Sequence, residues 1–304
     1  MYHFNHQVYQ KRREILLSKL DGKAAIIPGA NLVQHHSDCE YPFRQDSDFW
    51  YLTGFDEPNS IALFLSHKSI GERFILFVNP KEAYSEVWNG FRSGIEGAET
   101  VFMADKAHEV NQFKELLPNY LHGAEEIVFA VGRNPKIETI ILDTWSNQLQ
   151  RYPSVGSAPN SIKSPSLYLN EMRLLKSDYE IERMREAVQI SAEAHELVRN
   201  NISLKNNERQ VQGLIEGYFL EKGARGPAYN SIVASGDNAC VLHYTTNNSD
   251  LKKDDLLLVD AGCSLFDYYN GDITRTFPIG GKFTAEQKAI YEIVLEAQKC
   301  AIEN

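Results

Sequence analysis

The stretch LLLVDAGCSLFDYYNGDITRTF, residues 256–277, predicts two β-strands joined by a polar turn. Its first part, Leu256–Ala261, is apolar with an acid near its end, and its last part alternates polar and apolar side chains, as half-buried strands do. We place the centre of the turn at Phe266. With that centre, Asp260 and Asp272 lie directly opposite one another, and their Cβ atoms are about 4.5–5.5 Å apart.

Two ionised carboxylates at this distance repel each other unless one takes up a proton or a cation lies between them. A divalent metal ion removes the conflict, and all-oxygen ligands suit hard ions such as manganese or magnesium. Two such ions about 3.5–4 Å apart can together activate water and polarise a carbonyl group. On these residues alone, two acids that never meet, one at a strand end and one in a turn, remain the alternative.

Two helices are predicted upstream of the hairpin. Ser177 and Glu180 form the S-x-x-E pattern that caps a helix start. An amphipathic helix to about Asn200 is indicated by apolar or small residues at helical spacing with charges between them: Ile181, Met184, Val188, Ser191 and Val198. A second helix is predicted over about 207–221, closed by Gly223 in a left-handed conformation.

The first half of the chain alternates helical patterns with short apolar strands such as Ala24–Pro28 and Ile61–Leu65, which predicts an α/β domain. The segment 154–165 is rich in Ser, Pro, Gly and Asn and has no periodicity. We therefore place a domain boundary near it, with an N-terminal domain over 1–165 and a second domain over 166–304.

Composition excludes several classes of function. The 304 residues include 41 acidic and 31 basic side chains, and the net charge of -10 argues against nucleic acid as a partner. The sequence contains no run of eighteen apolar residues, so no membrane span is predicted. Met1 to Leu20 lacks the apolar stretch of a signal peptide, and we therefore expect a cytoplasmic protein. The four cysteines lie far apart, which favours reduced thiols.

Several motifs carry a resemblance to a known family. The run LVDAGCSLFDYYNGDITRTFPIGGKFT, residues 258–284, resembles the first metal-ligand hairpin of the Xaa-Pro aminopeptidase (aminopeptidase P) family of M24 metallopeptidases. The segment SIVASGDNACVLHYTTNN, residues 231–248, resembles the family's segment with a substrate-contacting histidine. The segment YPFRQDSDFWYLTGFDEPNS, residues 41–60, resembles its N-terminal domain signature. The linker helix NEMRLLKSDYEIERMREA, residues 170–187, extends the similarity between these motifs.

The resemblance implies a smaller α/β N-terminal domain followed by an α+β pita-bread domain of the creatinase and aminopeptidase type. It implies release of an N-terminal residue that precedes proline, with proline-containing peptides as substrates and two Mn²⁺ ions as cofactor. The family's metal-binding aspartates fall on Asp260 and Asp272, and its catalytic, substrate-contacting histidine falls on His243. It also implies a homo-oligomer, a dimer or tetramer, in which Trp88 lines a neighbouring subunit's substrate pocket, although core packing of Trp88 is the alternative.

Two departures from the family pattern bear on these expectations. Eleven residues separate Asp260 from Asp272, where the family pattern has ten. We expect a bulge or longer loop around Ser264 to Asp267 to absorb the extra residue, and a register slip that turns one acid away is the alternative. The family draws one histidine and two glutamates from later in the catalytic domain, so we expect this chain to be truncated within that domain and inactive alone. A prolidase or creatinase, or a catalytically silent pita-bread binding protein, are the alternative functions.

Overall fold

The computed structural model of the protein describes residues 5–151, 154 and 156–304. They divide into two compact units, with the division between Leu175 and Lys176. The domain bounds expected from the sequence, 1–165 and 166–304, remain a proposal, and Val155 in the expected boundary segment lies outside the described residues.

The N-terminal unit is built on a six-stranded mixed sheet. Its strands are β1 Ala24–Pro28, β4 Ile61–Leu65, β5 Phe74–Val78, β6 Lys106–Glu109, β7 Ile127–Val128 and β8 Ile162–Lys163, and β2 Gln34–His36 with β3 Cys39–Glu40 forms a separate exposed hairpin. The strand order is β6-β5-β4-β1-β7-β8, antiparallel at β5-β4-β1 and parallel elsewhere. The helices are α1 His6–Leu20, α2 Ser47–Thr53, α3 Ala83–Asn89, α4 Gly94–Thr100, α5 Phe113–Leu121, α6 Pro135–Gln150 and α7 Ser166–Leu174.

The core of this unit lies on both faces of the sheet. Strand β4 is buried at every position, because Ala62 and Phe64 pack into one apolar cluster while Ile61, Leu63 and Leu65 pack into another. A strand that is covered on both faces needs apolar side chains at every position, and an alternation of apolar and polar residues would not suit it.

The second unit packs two helices against a small antiparallel sheet. The helices are α8 Asp178–Asn201 and α9 Glu208–Glu221, followed at the end of the chain by α10 Ala285–Glu303. The strands are β9 Gly226–Pro227, β10 Ile232–Ser235, β11 Leu256–Ala261, β12 Cys263–Ser264 and β13 Ile273–Pro278. They form a three-stranded sheet, β10-β11-β13, and a two-stranded one, β12-β9. One apolar cluster joins α8 and α9 to β11.

The predicted helix ends are confirmed where a local signal marks them. The Ser177 amide donates to the Glu180 carboxylate at 2.9 Å, closing the capping box of α8. The second helix ends just before Gly223, which adopts a φ of +79° as predicted. Strands Leu256–Ala261 and Ile273–Pro278 also begin and end where the sequence places them.

The buried face of α8 differs from the prediction. Ile181, Met184 and Val188 are 40%, 38% and 46% exposed. The face that packs against the sheet consists instead of small residues, one histidine and a few larger aliphatic residues: Ala187, Ile190, Ser191, Ala194, His195 and Val198. The helix lies so close to the strand backbone at its centre that small side chains, rather than the larger apolar ones, occupy the contact.

Candidate metal centre

The hairpin that carries the two acids has a different register from the one predicted. Asp260 pairs with Thr274, and the same register continues to a turn centred on Asp267 instead of Phe266. The predicted direct opposition of Asp260 and Asp272 is therefore wrong. Asp272 lies two residues from the partner of Asp260, and side chains two residues apart share a face. The acids are diagonal neighbours on one face of the hairpin.

The turn is held at this position by an ion pair with α8. The Asp267 side chain is fully buried, and it accepts hydrogen bonds from Arg183 Nε at 2.6 Å and from the Tyr179 hydroxyl at 3.1 Å. Tyr268, the next residue, adopts a φ of +64°. A buried carboxylate is stable only when it is paired, so these contacts favour a turn that directs Asp267 at α8.

Two glycines allow the strands to meet behind the acids. Gly262 lies directly against Gly271, and a Cβ atom on Gly262 would overlap the Gly271 carbonyl oxygen. A Cβ atom on Gly271 would overlap the Ser191 hydroxyl of α8. Neither position can hold a side chain without a backbone shift, so each glycine is required by the packing next to its neighbouring acid.

Tyr229 connects the two acids. The pairing of β9 with β12, together with a 2.8 Å hydrogen bond from the Ala228 amide to the Gly262 carbonyl, brings this side chain to them. Its hydroxyl oxygen lies 2.5 Å from Asp260 Oδ1 and 2.9 Å from Asp272 Oδ1. Burial and the two carboxylates raise the pKa of Tyr229, so it remains a phenol. A phenol has one hydrogen and can donate to one carboxylate at a time.

The two acids differ in exposure. Asp260 is half-buried, whereas Asp272 is exposed. The described residues contain no group of three or more His, Cys, Asp or Glu side chains that could hold a metal ion. The arrangement therefore consists of two carboxylates on one face of the hairpin, with the Tyr229 hydroxyl hydrogen between them.

His243 lies on the loop that follows a 3-10 turn, Gly236–Cys240, and its side chain is exposed. Within the described part of the chain it makes no hydrogen bond or ion pair, and so none with Asp260 or Asp272. The structure thus places His243 on the surface of the unit that carries the acids, and its predicted role stays a prediction.

The loop of His243 is anchored by a carboxylate that the sequence analysis did not identify. Glu208, in the first turn of α9, is fully buried and accepts hydrogen bonds from the loop at both oxygens. The donors are the Ser235 amide and hydroxyl, the Asn238 side chain, the Tyr244 hydroxyl and the Ser249 amide, at 2.8–3.0 Å. Burial alone would raise the pKa of Glu208, but these hydrogen bonds outweigh it and lower the pKa.

Trp88 lies on α3 of the N-terminal unit and is 73% exposed, so packing in the core of this unit is excluded. Three further apolar side chains beside it in sequence are more than 75% exposed: Tyr84, Val87 and Phe91. We call these four residues the α3 patch. Exposed apolar side chains that lie together often mark interaction surfaces, which makes the α3 patch a candidate for one.

Comparison with known proteins identifies the family. Residues 9–129 match the aminopeptidase P N-terminal domain, and residues 182–304 match metallopeptidase family M24. The Xaa-Pro aminopeptidase of Haemophilus influenzae is 40% identical over 97% of this chain and 66% of the relative. That of Escherichia coli is 36% identical over 99% of this chain and 68% of the relative. The chain belongs to the aminopeptidase P family.

Solved structures of aminopeptidase P agree with the fold. Pseudomonas aeruginosa aminopeptidase PepP matches with a TM-score of 0.93 at 36% identity, over all of this chain and 68% of that one. Zinc-substituted Escherichia coli aminopeptidase P in complex with product matches with a TM-score of 0.92 at 35% identity, over 99% and 69% of the two chains. The predicted α/β N-terminal domain followed by a pita-bread domain is confirmed. The chain spans about two thirds of the length of its relatives.

The aminopeptidase P family belongs to the M24 metallopeptidases, so the cofactor class to compare with this site is a divalent metal ion. The donor set fits such a cofactor, because Asp260 and Asp272 supply oxygen ligands and their two negative charges share only the Tyr229 hydrogen. None of the helices that the structure describes is long and apolar enough to cross a membrane.

Sequence reasoning missed two residues of the candidate site and its surroundings: Tyr229, which contacts both acids, and Glu208, which anchors the loop of His243. Tyr229 stands alone in the polar segment GPAYNS, residues 226–231, and nothing in that segment shows that it reaches a hairpin more than thirty residues later. Glu208 follows the helix cap Asn207, a position where acids are common for local reasons. Only the tertiary structure separates these two residues from ordinary surface groups.

Proposed function

We propose that the protein is an Xaa-Pro aminopeptidase, which hydrolyses the bond between an N-terminal residue and a following proline. The observation that carries the proposal is the convergence of Asp260 and Asp272 on one hydroxyl hydrogen, in a chain of the aminopeptidase P family. Relatives that are Xaa-Pro aminopeptidases support the substrate class.

We assign Asp260 and Asp272 as ligands of the metal site, with two Mn²⁺ ions per complete site. Their all-oxygen chemistry supports a hard ion such as Mn²⁺ over zinc, which favours nitrogen and sulfur ligands. A divalent cation, when bound, supplies Lewis-acid activation of the peptide carbonyl and of water. The cation offsets the charge of the pair, and the single Tyr229 hydrogen can still be donated to one of the two carboxylates.

His243 has the catalytic and substrate-binding role in this proposal. An imidazole N–H on the same unit as the acids can donate to the carbonyl oxygen on which charge develops during attack. The position of the residue is defined, since Tyr244 next to it donates to the buried Glu208 carboxylate at 2.9 Å. His243→Ala should therefore lower kcat more than it changes Mn²⁺ affinity, whereas loss of Mn²⁺ affinity would contradict this assignment.

Trp88 is proposed to contact substrate in the active site of a neighbouring copy within a dimer or tetramer. The support is the exposure of Trp88 together with that of the three other side chains of the α3 patch. Trp88→Ala should raise KM and weaken association, measured by sedimentation velocity. An unchanged sedimentation coefficient with an unchanged KM would refute the assignment.

The activity is tested with the protein expressed from its whole open reading frame, stripped with chelator and reloaded with Mn²⁺. Release of alanine from Ala-Pro-Ala, but not from Ala-Ala-Ala, is expected. Cleavage of Ala-Pro with no cleavage of Ala-Pro-Ala would indicate a prolidase, and hydrolysis of creatine would indicate a creatinase. A protein that binds no Mn²⁺ and cleaves none of these would be a silent binding protein.

The ligand assignment is tested by Asp260→Asn and Asp272→Asn. Each variant removes one charged ligand, so each should weaken Mn²⁺ binding measured by calorimetry. Asp254→Asn is the matched control, because Asp254 is an exposed acid just before β11. Binding isotherms that are the same in all three variants would refute the assignment.

A cytoplasmic location is also proposed, and its support is the similarity to bacterial Xaa-Pro aminopeptidases. Fractionation of the source cells with a soluble marker enzyme tests it, and recovery with the membrane fraction would contradict it.

A further inference from the structure

His195 is a buried histidine directly behind the acid-bearing hairpin. It lies on α8 and is 3% exposed. Its Nε2 atom lies 3.0 Å from the carbonyl oxygen of Ala261. A carbonyl oxygen only accepts, so Nε2 carries the hydrogen and donates it. Burial lowers the pKa of His195, which keeps the ring neutral although the Ala261 carbonyl opposes this effect.

The hydrogen bond from His195 reaches the hairpin beside both acids. Ala261 follows Asp260 directly, and its partner across the ladder is Ile273, which follows Asp272 directly. A group that fixes the Ala261 carbonyl therefore fixes the cross-strand pair next to both carboxylates. No other cross-strand pair of β11 and β13 has this relation to the acids.

A second polar residue of α8 acts on the next part of the same strand. The Ser191 hydroxyl donates to the Ala187 carbonyl at 2.7 Å and accepts from the Cys263 amide at 3.0 Å. Ser191 and His195 are four residues apart, so they lie one above the other on one helix face. Together they hold the strand on either side of Gly262.

The second ring nitrogen of His195 distinguishes this residue from an aliphatic one of similar size. Nδ1 is enclosed and has no hydrogen-bond partner among the described residues. An unsatisfied buried polar atom is destabilising, and an aliphatic side chain of similar size would avoid it. What the aliphatic side chain would lack is the hydrogen bond to Ala261.

We propose that His195 is a positioning residue, which sets the separation of the Asp260 and Asp272 carboxylates for metal binding through the Ala261 carbonyl. The inference rests on the proposed function, since it concerns the metal site assigned there. Partners that orient metal ligands indirectly typically change metal affinity by 10-fold to 100-fold when they are removed.

Four variants of the whole protein test this inference, with Mn²⁺ alone as the probe. His195→Leu keeps the bulk and removes the donor, so Mn²⁺ affinity should fall about 10-fold to 100-fold, while the melting temperature without metal stays the same or rises. In His195→Gln the amide nitrogen is as many bonds from Cβ as Nε2, so it should restore most of the affinity. In His195→Asn the amide is one bond shorter, so it should not.

Val198→Ala is the control for lost packing. Val198 is fully buried on the same helix, and its truncation should lower the melting temperature and leave Mn²⁺ affinity unchanged. Calorimetry gives the affinities, and circular dichroism gives the melting temperatures.

The outcomes separate the inference from the proposed function. The inference would be overturned, and the proposed function kept, if His195→Leu binds Mn²⁺ within twofold of the original protein while Asp260→Asn loses binding. An original protein that binds no Mn²⁺ would overturn both. If His195→Leu does not fold, equal affinities in the Gln and Asn variants would overturn the inference, and recovery in Gln only would support it.

Discussion

Replacement of Glu208 by glutamine keeps the shape of the side chain and removes its charge and one acceptor oxygen. Oε1 accepts from Ser235 and Asn238, and Oε2 accepts from the Tyr244 hydroxyl and the Ser249 amide. A glutamine NH₂ group in the place of Oε2 faces the Ser249 N–H, which cannot turn away, whereas the Tyr244 hydroxyl can rotate. In the opposite orientation the NH₂ group takes the place of Oε1 and faces two donors, the Ser235 amide and the Asn238 side chain. The first orientation therefore loses less stability.

The magnitude follows from this geometry. A buried backbone N–H without an acceptor costs about 1–3 kcal/mol. The hydrogen bonds that remain also weaken, because bonds to a charged acceptor are roughly twice as strong as bonds to a neutral one. We therefore expect Glu208→Gln to lower the free energy of unfolding by about 3 kcal/mol. Domains of ordinary stability, about 5–15 kcal/mol, remain folded after such a loss.

Urea unfolding at neutral pH measures this loss, and hydrogen exchange of the Ser249 amide locates it in the loop that carries His243. Glu221→Gln is the matched control, because Glu221 is exposed at the other end of the same helix. A loss below about 0.5 kcal/mol, the usual range for surface substitutions, would refute the reasoning. An equal loss in Glu221→Gln would refute it as well.

Three further predictions concern the same unit. The folded state lowers the pKa of Glu208, so the stability that its charge contributes is complete above the unfolded-state pKa of about 4.3 and is lost as the pH falls through the lower folded value. The stability difference between the original protein and Glu208→Gln should therefore shrink in acid. Urea unfolding repeated from pH 7 to pH 3 measures this. Tyr229→Phe removes the hydroxyl hydrogen that lies between Asp260 and Asp272, so unfolding without metal should become easier by about 1 kcal/mol. Added Mn²⁺ should recover the loss, and a loss that Mn²⁺ leaves unchanged would contradict this. Gly262→Ala forces a Cβ atom onto the Gly271 carbonyl and should destabilise by about 3 kcal/mol or more, whereas Gly217→Ala, with open space around it on α9, should be neutral or stabilising in the same melting experiment.

The elements that sequence predicts best are those with local causes. Strands Leu256–Ala261 and Ile61–Leu65 are short apolar runs, and their bounds agree with the structure at both ends. The capping box of Ser177 and Glu180 is equally local, since both partners lie within one helical turn. For the candidate site, the direct opposition of Asp260 and Asp272 is wrong, but the two acids still share a face, because the observed partner of Asp260 differs from the predicted one by two residues.

The elements that sequence fails to predict have tertiary causes. Helical spacing predicts a buried face of α8 that includes its larger apolar residues, but close approach of Gly271 to Ser191 requires small side chains at the contact. Larger residues such as Met184 are therefore turned outward. Counting apolar side chains cannot reveal this, because the constraint comes from a glycine 80 positions later in the chain.

The offset between the two acids follows from two anchors on one rigid helix. Arg183 holds the hairpin tip at Asp267, and His195 holds its base at Ala261. The twelve residues from Arg183 to His195 span about 18 Å of helix, and the six residues from Ala261 to Asp267 span about 20 Å of extended chain. A turn centred on Phe266 would place a different residue at the tip anchor and leave Asp267 without its ion pair. The helix therefore selects the register, and with it the diagonal arrangement of the carboxylates.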